Sequence, residues 1–212
     1  EDRIITISNL GKFYLKIRDN LDYIEPIILY NLIKNPDINR HNHGNLYFSI
    51  LVNDIFSKMF SDYNKPHYTI NEIKREFKKN KNYEEKSERF LTQSLSSLVD
   101  AETGFGKMGI VEKVGEEEYK VHSYYLEPLV ALYIICDMWD SNQTAMSIDE
   151  MISDDYNLGK MFLMDESTIS EILEELQVKR YIVIEKSNTL NQIKLMDGVN
   201  KEFVLEEIIK DA

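Results

Sequence analysis

The stretch SERFLTQSLSSLVDAETGFGKMGIVEKVGEEEYKV, residues 87–121, decides how this chain is read. From Glu88 to Val99 the apolar residues Phe90, Leu91, Leu95, Leu98 and Val99 recur at helical intervals and form one stripe. DAETGFGKMG breaks that periodicity, and GIVEKV and EYKVH then read as two short strands joined through Gly115. Just upstream, Thr69 and Glu72 stand at capping-box spacing and open a helix over 70–79. Ile70, Ile73 and Phe77 are its inward side, and Lys74, Arg75, Lys78 and Lys79 stand out.

Two helices followed by a β-hairpin is the plan of a winged helix-turn-helix unit, and the plan recurs. YYLEPLVALYIICDMWDSN is a long helix, apolar nearly all round, and so the most buried element. MSIDEMISD is a short helix with Ser147 and Glu150 at capping-box spacing. DESTISEILEELQVKRYIVIEKSNTLNQIKLM supplies another helix and strands over 181–185 and 192–195, joined through Ser187 and Asn188. A closing amphipathic helix turns Phe203, Val204, Leu205 and Ile208 inward.

At the other end, Phe13, Ile17 and Leu21 form one stripe, and Ile27, Ile28 and Leu32 continue it after Pro26, which suits a helix first turn. Residues 35–45 read as a loop, and 46–60 as a strongly apolar helix. The expected fold is mainly α with small β-hairpins. An N-terminal helical cap (1–63) precedes a first winged helix-turn-helix unit (64–123). The long central helix, a second winged unit and a C-terminal helix (124–212) follow in tandem.

Composition sets the class. With 212 residues, 43% hydrophobic and 29% charged, the chain can build a core and is too apolar for a disordered protein. Its longest apolar run, Leu129 to Cys136, is far short of the roughly 18 residues of a membrane span, so no membrane partner is expected. EDRIITISNL lacks the pattern of a signal peptide. A single cysteine, Cys136, excludes an internal disulfide framework; a cytoplasmic location and a buried structural thiol are the expectation.

Charge is unevenly spread. Residues 1–64 hold 7 Lys and Arg against 8 Asp and Glu, residues 65–113 hold 10 against 8, and residues 114–212 hold 8 against 21. Nearly all of the net −12 therefore lies in the C-terminal half, where a duplex would be repelled. Double-stranded DNA is the expected partner of the middle segment. On its second helix Lys86, Arg89, Thr92, Gln93 and Ser96 would face bases, while Lys74, Arg75, Lys78 and Lys79 would grip phosphates. Glu171, Glu174 and Glu175 in the second unit suit a basic protein partner or pairing with the lysine-rich segment 74–81. The hairpin tip Glu116-Glu117-Glu118 is equally unsuited to phosphate.

Catalytic signals are thin. GFGKMG is not the phosphate loop G-x-x-x-x-G-K-[ST], and a strand follows it. His41 and His43 have only the distant Asp37 as a further ligand. Asp137 and Asp140 form a carboxylate pair without a basic neighbour in sequence. The expectation is a non-enzyme with no cofactor or metal.

LEPLVALYIICDMWD, MSIDEMISDDYNLGKMFLMDESTISEILEEL and NTLNQIKLM together resemble the C-terminal half of a bacterial domain family of unknown function. That family is encoded beside genes for DNA phosphorothioate modification and related anti-phage systems. The likeness covers about residues 126–196: a Leu-Glu-Pro-led helix, a Ser-x-x-Glu helix, the segment Gly159-Lys160-Met161-Phe162-Leu163 and a final wing. It implies an accessory protein of a DNA-modification or defence system and transfers no catalytic residue. The alternatives are a docking subunit without DNA contact, which would resemble the acidic tandem winged-helix proteins that clasp kleisins, or a transcription regulator reading paired half-sites as a dimer. Oligomeric state is left open.

Overall fold

A computed structural model describes residues 8–34, 44–63, 67–80, 83–102, 104–187 and 191–212. It is mainly helical, with two small three-stranded antiparallel sheets. The predicted loop over 35–45, with His41, His43 and Asp37, falls largely outside the described residues, as does Asn188.

The first sheet joins β1 (His67–Thr69), β2 (Val111–Lys113) and β3 (Glu118–Val121) in the order β1-β3-β2. Tyr68 pairs with Tyr119, and Val111 with Val121. Thr69 ends β1 and caps α5 (Ile70–Phe77): its hydroxyl accepts from Glu72 N while Glu72 accepts from Thr69 N, the reciprocal box that the spacing predicts. α6 (Glu88–Val99) follows and buries Leu91, Leu95 and Leu98.

The glycines after α6 are a packing device. A Cβ on Gly104 would stand 2.0 Å from Ser97 O, and one on Gly106 would stand 2.4 Å from Val99 O. Only glycine lets the bend lie against the last turn of α6, where Phe105 N donates to Ser97 O and Gly104 N and Gly106 N both donate to Asp100 O.

The second half repeats this order. α7 (Pro128–Met138) carries Pro at its first position and leads to β4 (Met146–Ser147), α8 (Ile148–Ser153), α9 (Leu158–Phe162) and α10 (Glu166–Val178). β5 (Ile182–Lys186) and β6 (Asn191–Leu195) then complete a sheet ordered β4-β6-β5. Ser147 and Glu150 form the second capping box. In α9, a Cβ on Gly159 would sit 2.3 Å from Ile152 O, so α8 and α9 touch backbone to backbone.

α1 (Asn9–Ile17) and α2 (Leu21–Lys34) pack on each other; α1 also meets α11 (Lys201–Asp211), and α2 meets α7. Asp137, 13% exposed, ties three of these helices together. It accepts from Tyr30 Oη at 2.8 Å and from Lys34 Nζ at 2.5 Å, both on α2, and from Lys201 Nζ at 2.6 Å on α11. Burial pushes its carboxyl up, but the bonds from Lys201, Lys34 and Tyr30 outweigh that and hold it below its ordinary 3.8. The bond to Asp137 holds Lys201 above its ordinary 10.5.

Several elements differ from expectation. α2 begins at Leu21, five residues before Pro26, and Leu21 is 42% exposed. Burial of Tyr23 and Ile24 outweighs the one hydrogen bond that Pro26 forfeits. α7 is shorter than the helix expected over 124–142: it starts with Pro128 at its first position, and Tyr124 N donates to Phe162 O in the segment before it. The helix predicted over 46–60 is found as α3 (Gly44–Ser49), a π segment (Ile50–Phe56) and α4 (Ser57–Tyr63). Its wider turns bury Asn53, whose Oδ1 accepts from Tyr156 N at 2.9 Å.

Asp137→Asn is expected to cost about 2–3 kcal/mol, since it weakens charge-assisted bonds to two lysines. The depressed carboxyl contributes stability above pH about 3.8 that is lost as pH falls through its folded value. The raised Lys201 contributes stability below about 10.5 that is lost as pH rises past its folded value. Urea unfolding across pH should therefore show the variant's deficit shrinking at both extremes. Gly159→Ala should cost about 1–3 kcal/mol in the same assay by forcing α8 and α9 apart.

Candidate functional site

α5 and α6 bring the cationic residues of the middle segment onto adjoining surfaces. Lys74 Nζ lies 3.7 Å from Glu88 Oε2 and Lys78 Nζ lies 3.5 Å from Glu88 Oε1, so both lysines reach the first turn of α6. A second group centres on Glu76, only 5% exposed at its side chain. Lys79 Nζ stands 2.7 Å from its carboxylate, and Lys58 and Arg75 stand 4.0 Å from it. Glu76 is buried because those cations compensate it; an uncompensated carboxylate there would be costly.

The outward row of α6 holds Arg89, Thr92, Gln93 and Ser96, all exposed. The Arg89 guanidinium lies 4.5 Å from the centre of the Phe90 ring, a cation–π contact that limits its wandering. Thr92 Oγ1 donates to Glu88 O and Ser96 Oγ to Thr92 O, which leaves both hydroxyl oxygens able to accept. Lys86 falls in a 3₁₀ turn, Glu85–Ser87, immediately before this helix. Val114 N donates to Glu118 O and closes the hairpin tip, where Glu116, Glu117 and Glu118 are exposed.

The corresponding face of α10 is acidic. Glu171, Glu174 and Glu175 are exposed beside two apolar neighbours that are also exposed, Tyr125 and the 83% exposed Val178. These residues and Lys179 border a shallow groove of about 440 Å³. Tyr125 Oη donates to Glu175 Oε1 at 2.9 Å. Of the segment 74–81, Lys74 and Lys78 reach Glu88 and Lys79 reaches Glu76, local partners rather than α10, and Lys81 lies outside the described residues.

The catalytic candidates take structural places. Asp137 is consumed by its lysines and tyrosine, and Asp140 accepts from Asn142 N at 2.9 Å in a turn. Cys136 is half-buried rather than fully enclosed, and burial, with Asp137 and Glu202 nearby, pushes its thiol up to about 12, too weakly acidic for a nucleophile at neutral pH. Among the described residues no group of three or more His, Cys, Asp and Glu could hold a metal ion. No described helix is long and apolar enough to cross a membrane.

The anchoring carboxylates Glu76 and Glu88 were missed from sequence. Glu76 left a local signal, with Lys79 three residues on; Glu88 left none, because Lys74 and Lys78 lie 14 and 10 residues before it. Also missed was a cleft of about 710 Å³ between the helical run 53–60 and the segment 152–166, whose walls lie about a hundred residues apart in the chain.

Two solved structures share this fold. A crystal structure of magnesium ion-bound SspB superposes with a TM-score of 0.57 at 12% identity, covering 79% of this chain and 59% of that one. A second SspB crystal structure gives 0.55 at 13% identity, covering 88% and 65%. The chain thus spans about three-fifths to two-thirds of the SspB length, and identity this low speaks to the fold alone. No curated protein matches the chain. A family model does match residues 38–211, most of the sequence, and on that ground the chain belongs to the family described as "Protein of unknown function (DUF4007)".

Proposed function

We propose that this chain is a non-enzymatic, DNA-associated accessory protein built from two tandem winged helix-turn-helix units, serving a bacterial DNA-modification or anti-phage defence system. The twofold recurrence of one strand order supports the architecture: each sheet places the strand before its first helix beside the last strand of its hairpin. A capping box opens the first helix of each unit. The sequence resemblance to a family encoded beside phosphorothioate-modification genes supports the setting.

The observation that carries the DNA reading is the outward row of α6. Arg89, Thr92, Gln93 and Ser96 stand exposed together without a carboxylate among them, and Lys74 and Lys78 flank the row's first turn. Arg can bond guanine and Gln adenine in two places, and the hydroxyls can serve either. The lysines' ion pairs to Glu88 hold little back, because pairs exposed to this extent are worth about 0–1 kcal/mol and can be exchanged for phosphate contacts. With three glutamates at the wing tip, DNA is met by helices alone, and affinity is modest.

Fluorescence anisotropy with a duplex of about 20 base pairs tests this reading. Binding is expected near 50 mM salt and should fall steeply with added salt. K74A/R75A/K78A should reduce the slope of log K against log salt by about 2–3, one increment of about 0.9 per lost phosphate contact. R89A/Q93A should flatten sequence preference and leave that slope less changed. An absence of binding at low salt, or identical slopes for the triple variant and the parent, rejects it.

The α10 face favours a second role in the same molecule, docking of a basic partner protein. Exposed Tyr125 and Val178 beside three glutamates give apolar contact and charge selection on one surface. E171K/E174K/E175K should shift folding stability by less than about 1 kcal/mol, since all three are exposed. It should leave duplex binding no weaker and abolish stoichiometric recovery of a partner from the native host. Equal recovery by the variant removes the docking role.

A further inference from the structure

We infer that the cleft between the helical run 53–60 and the segment 152–166 is a second docking site, built for a short partner-protein segment in which Lys or Arg flanks a bulky apolar side chain. The cleft is distinct from the α6 row and from the α10 groove, and the inference stands whether or not the chain binds DNA.

Size and lining come first. At about 710 Å³ the cleft lies in the range of specific ligand sites and is too large for a single side chain. Phe60 and Ile152, half-buried, and Leu163 and Met164, buried, give it an apolar lining. An apolar floor open to water favours an occupant that brings hydrocarbon to cover it.

Charge then selects the occupant. Asp54, Asp165 and Glu166 stand around that floor, and among the described residues none has a Lys or Arg nitrogen within 4.0 Å. Asp54 accepts from the amides of Asn53 and Asn80, at 3.2 and 2.8 Å. Asp165 accepts from Thr168 N at 2.8 Å, and Glu166 meets only the Asn191 amide, at 3.5 Å. All of these partners are neutral; Asp165 is the N-cap of α10, whose amides hold its carboxyl below its ordinary 3.8, and Asp54 and Glu166 are left to attract a cation. The two lysines that line the cleft do not offset them. Lys160 is bonded to Asp155 at 2.5 Å, Lys58 Nζ stands 4.0 Å from Glu76 Oε2, and the lining holds four carboxylates, Asp54, Asp155, Asp165 and Glu166, against these two lysines. A phosphodiester chain would be repelled here, and a cationic segment would gain attraction at the rim as its apolar side chain covers the floor.

The walls are held open before any ligand arrives. On one side the π segment turns Asn53 inward to bond Tyr156 N, which secures this helix to the loop opposite. On the other, Gly159 sits against Ile152 and fixes α9 on α8. Leu163, on the floor, adopts a left-handed backbone at φ 55°, a conformation a leucine keeps only where its surroundings impose it. A preformed cleft spares a ligand the cost of ordering it.

The test is a titration of the ¹³C-methyl methionine-labelled protein with two capped tetrapeptides, Lys-Leu-Arg-Phe and Glu-Leu-Glu-Phe, alike in apolar content and opposite in charge. The basic peptide should shift the Met164 methyl resonance saturably, and about ten-fold more tightly than the acidic one. Met196, on the exposed surface elsewhere, should stay still. Glu166→Lys should narrow or reverse that preference. Ser153→Trp, which places bulk at an exposed rim position, should reduce binding of both peptides, with an unchanged melting temperature and unchanged remaining methyl shifts showing the fold intact. Equal affinity for the two peptides, preference for the acidic peptide, or no saturable shift at about 5 mM peptide overturns the assignment. So does a saturable shift of the Met164 methyl produced by a short DNA oligonucleotide alone.

Discussion

The run from Pro128 to Ile135 has no side that can face water: every side chain in it is buried. Such a helix is stable only if other elements surround it, and each fully buried Leu, Ile or Val rewards that enclosure by about 1.5–3 kcal/mol. The rest of the architecture follows from meeting this demand. α10 covers one side, α11 runs along another, and α2 closes a third. One consequence is the Asp137 cluster. Where the helix ends, its carboxylate emerges among the covering helices, and Tyr30, Lys34 and Lys201 converge on it. Apolar demand sets which helices meet; the ionic cluster then sets where along their lengths they stop sliding. The cluster adds positional definition more than net stability, because desolvation takes back much of what the pairing provides.

Capping boxes and hairpins were legible in the sequence because their signals are local. Thr69 with Glu72 and Ser147 with Glu150 are three residues apart, and both boxes form as the spacing predicts. The strands β1 and β4 were not legible. At three and two residues they are too short for any alternation to register, and they exist because β3 and β6 offer a free edge. α9 was hidden in the same way: five residues make little more than one turn, and the need for glycine at 159 is visible only once Ile152 lies against it. The π segment was read as ordinary helix, since an apolar run carries no sign of its hydrogen-bond register.

For the candidate surfaces, sequence located the charges and not their pairings. Placing Lys74, Arg75, Lys78 and Arg89 on adjoining helices needed only periodicity and helix order. That Glu88 takes Lys74 and Lys78, and that Lys58 joins the local pair of Glu76 and Lys79, depends on the angle between helices, which no local pattern encodes. The same limit applies to the cleft beside Asn53. Its two walls come from distant parts of the chain, and neither has a distinctive composition.

Both halves use one strand order and open with a capping box, yet the exposed faces of α6 and α10 differ in charge. A helix of this kind needs only its buried stripe to fold: Leu91, Leu95 and Leu98 in α6, Ile169, Ile172, Leu173 and Leu176 in α10. The remaining positions are free to vary at small cost, because exposed substitutions shift stability by about 0.5 kcal/mol or less. The fold therefore demands neither Arg, Thr, Gln and Ser on α6 nor three glutamates on α10. Negative charge on α10 also disfavours the duplex proposed for α6, so on that proposal the two surfaces would not exchange partners. If α6 meets DNA as proposed, a chain with that one modest contact and a strongly anionic second half would depend on its other contacts to stay at a DNA site. Linking two modest contacts through one rigid body raises occupancy well above what either provides, provided both partners lie within reach at once.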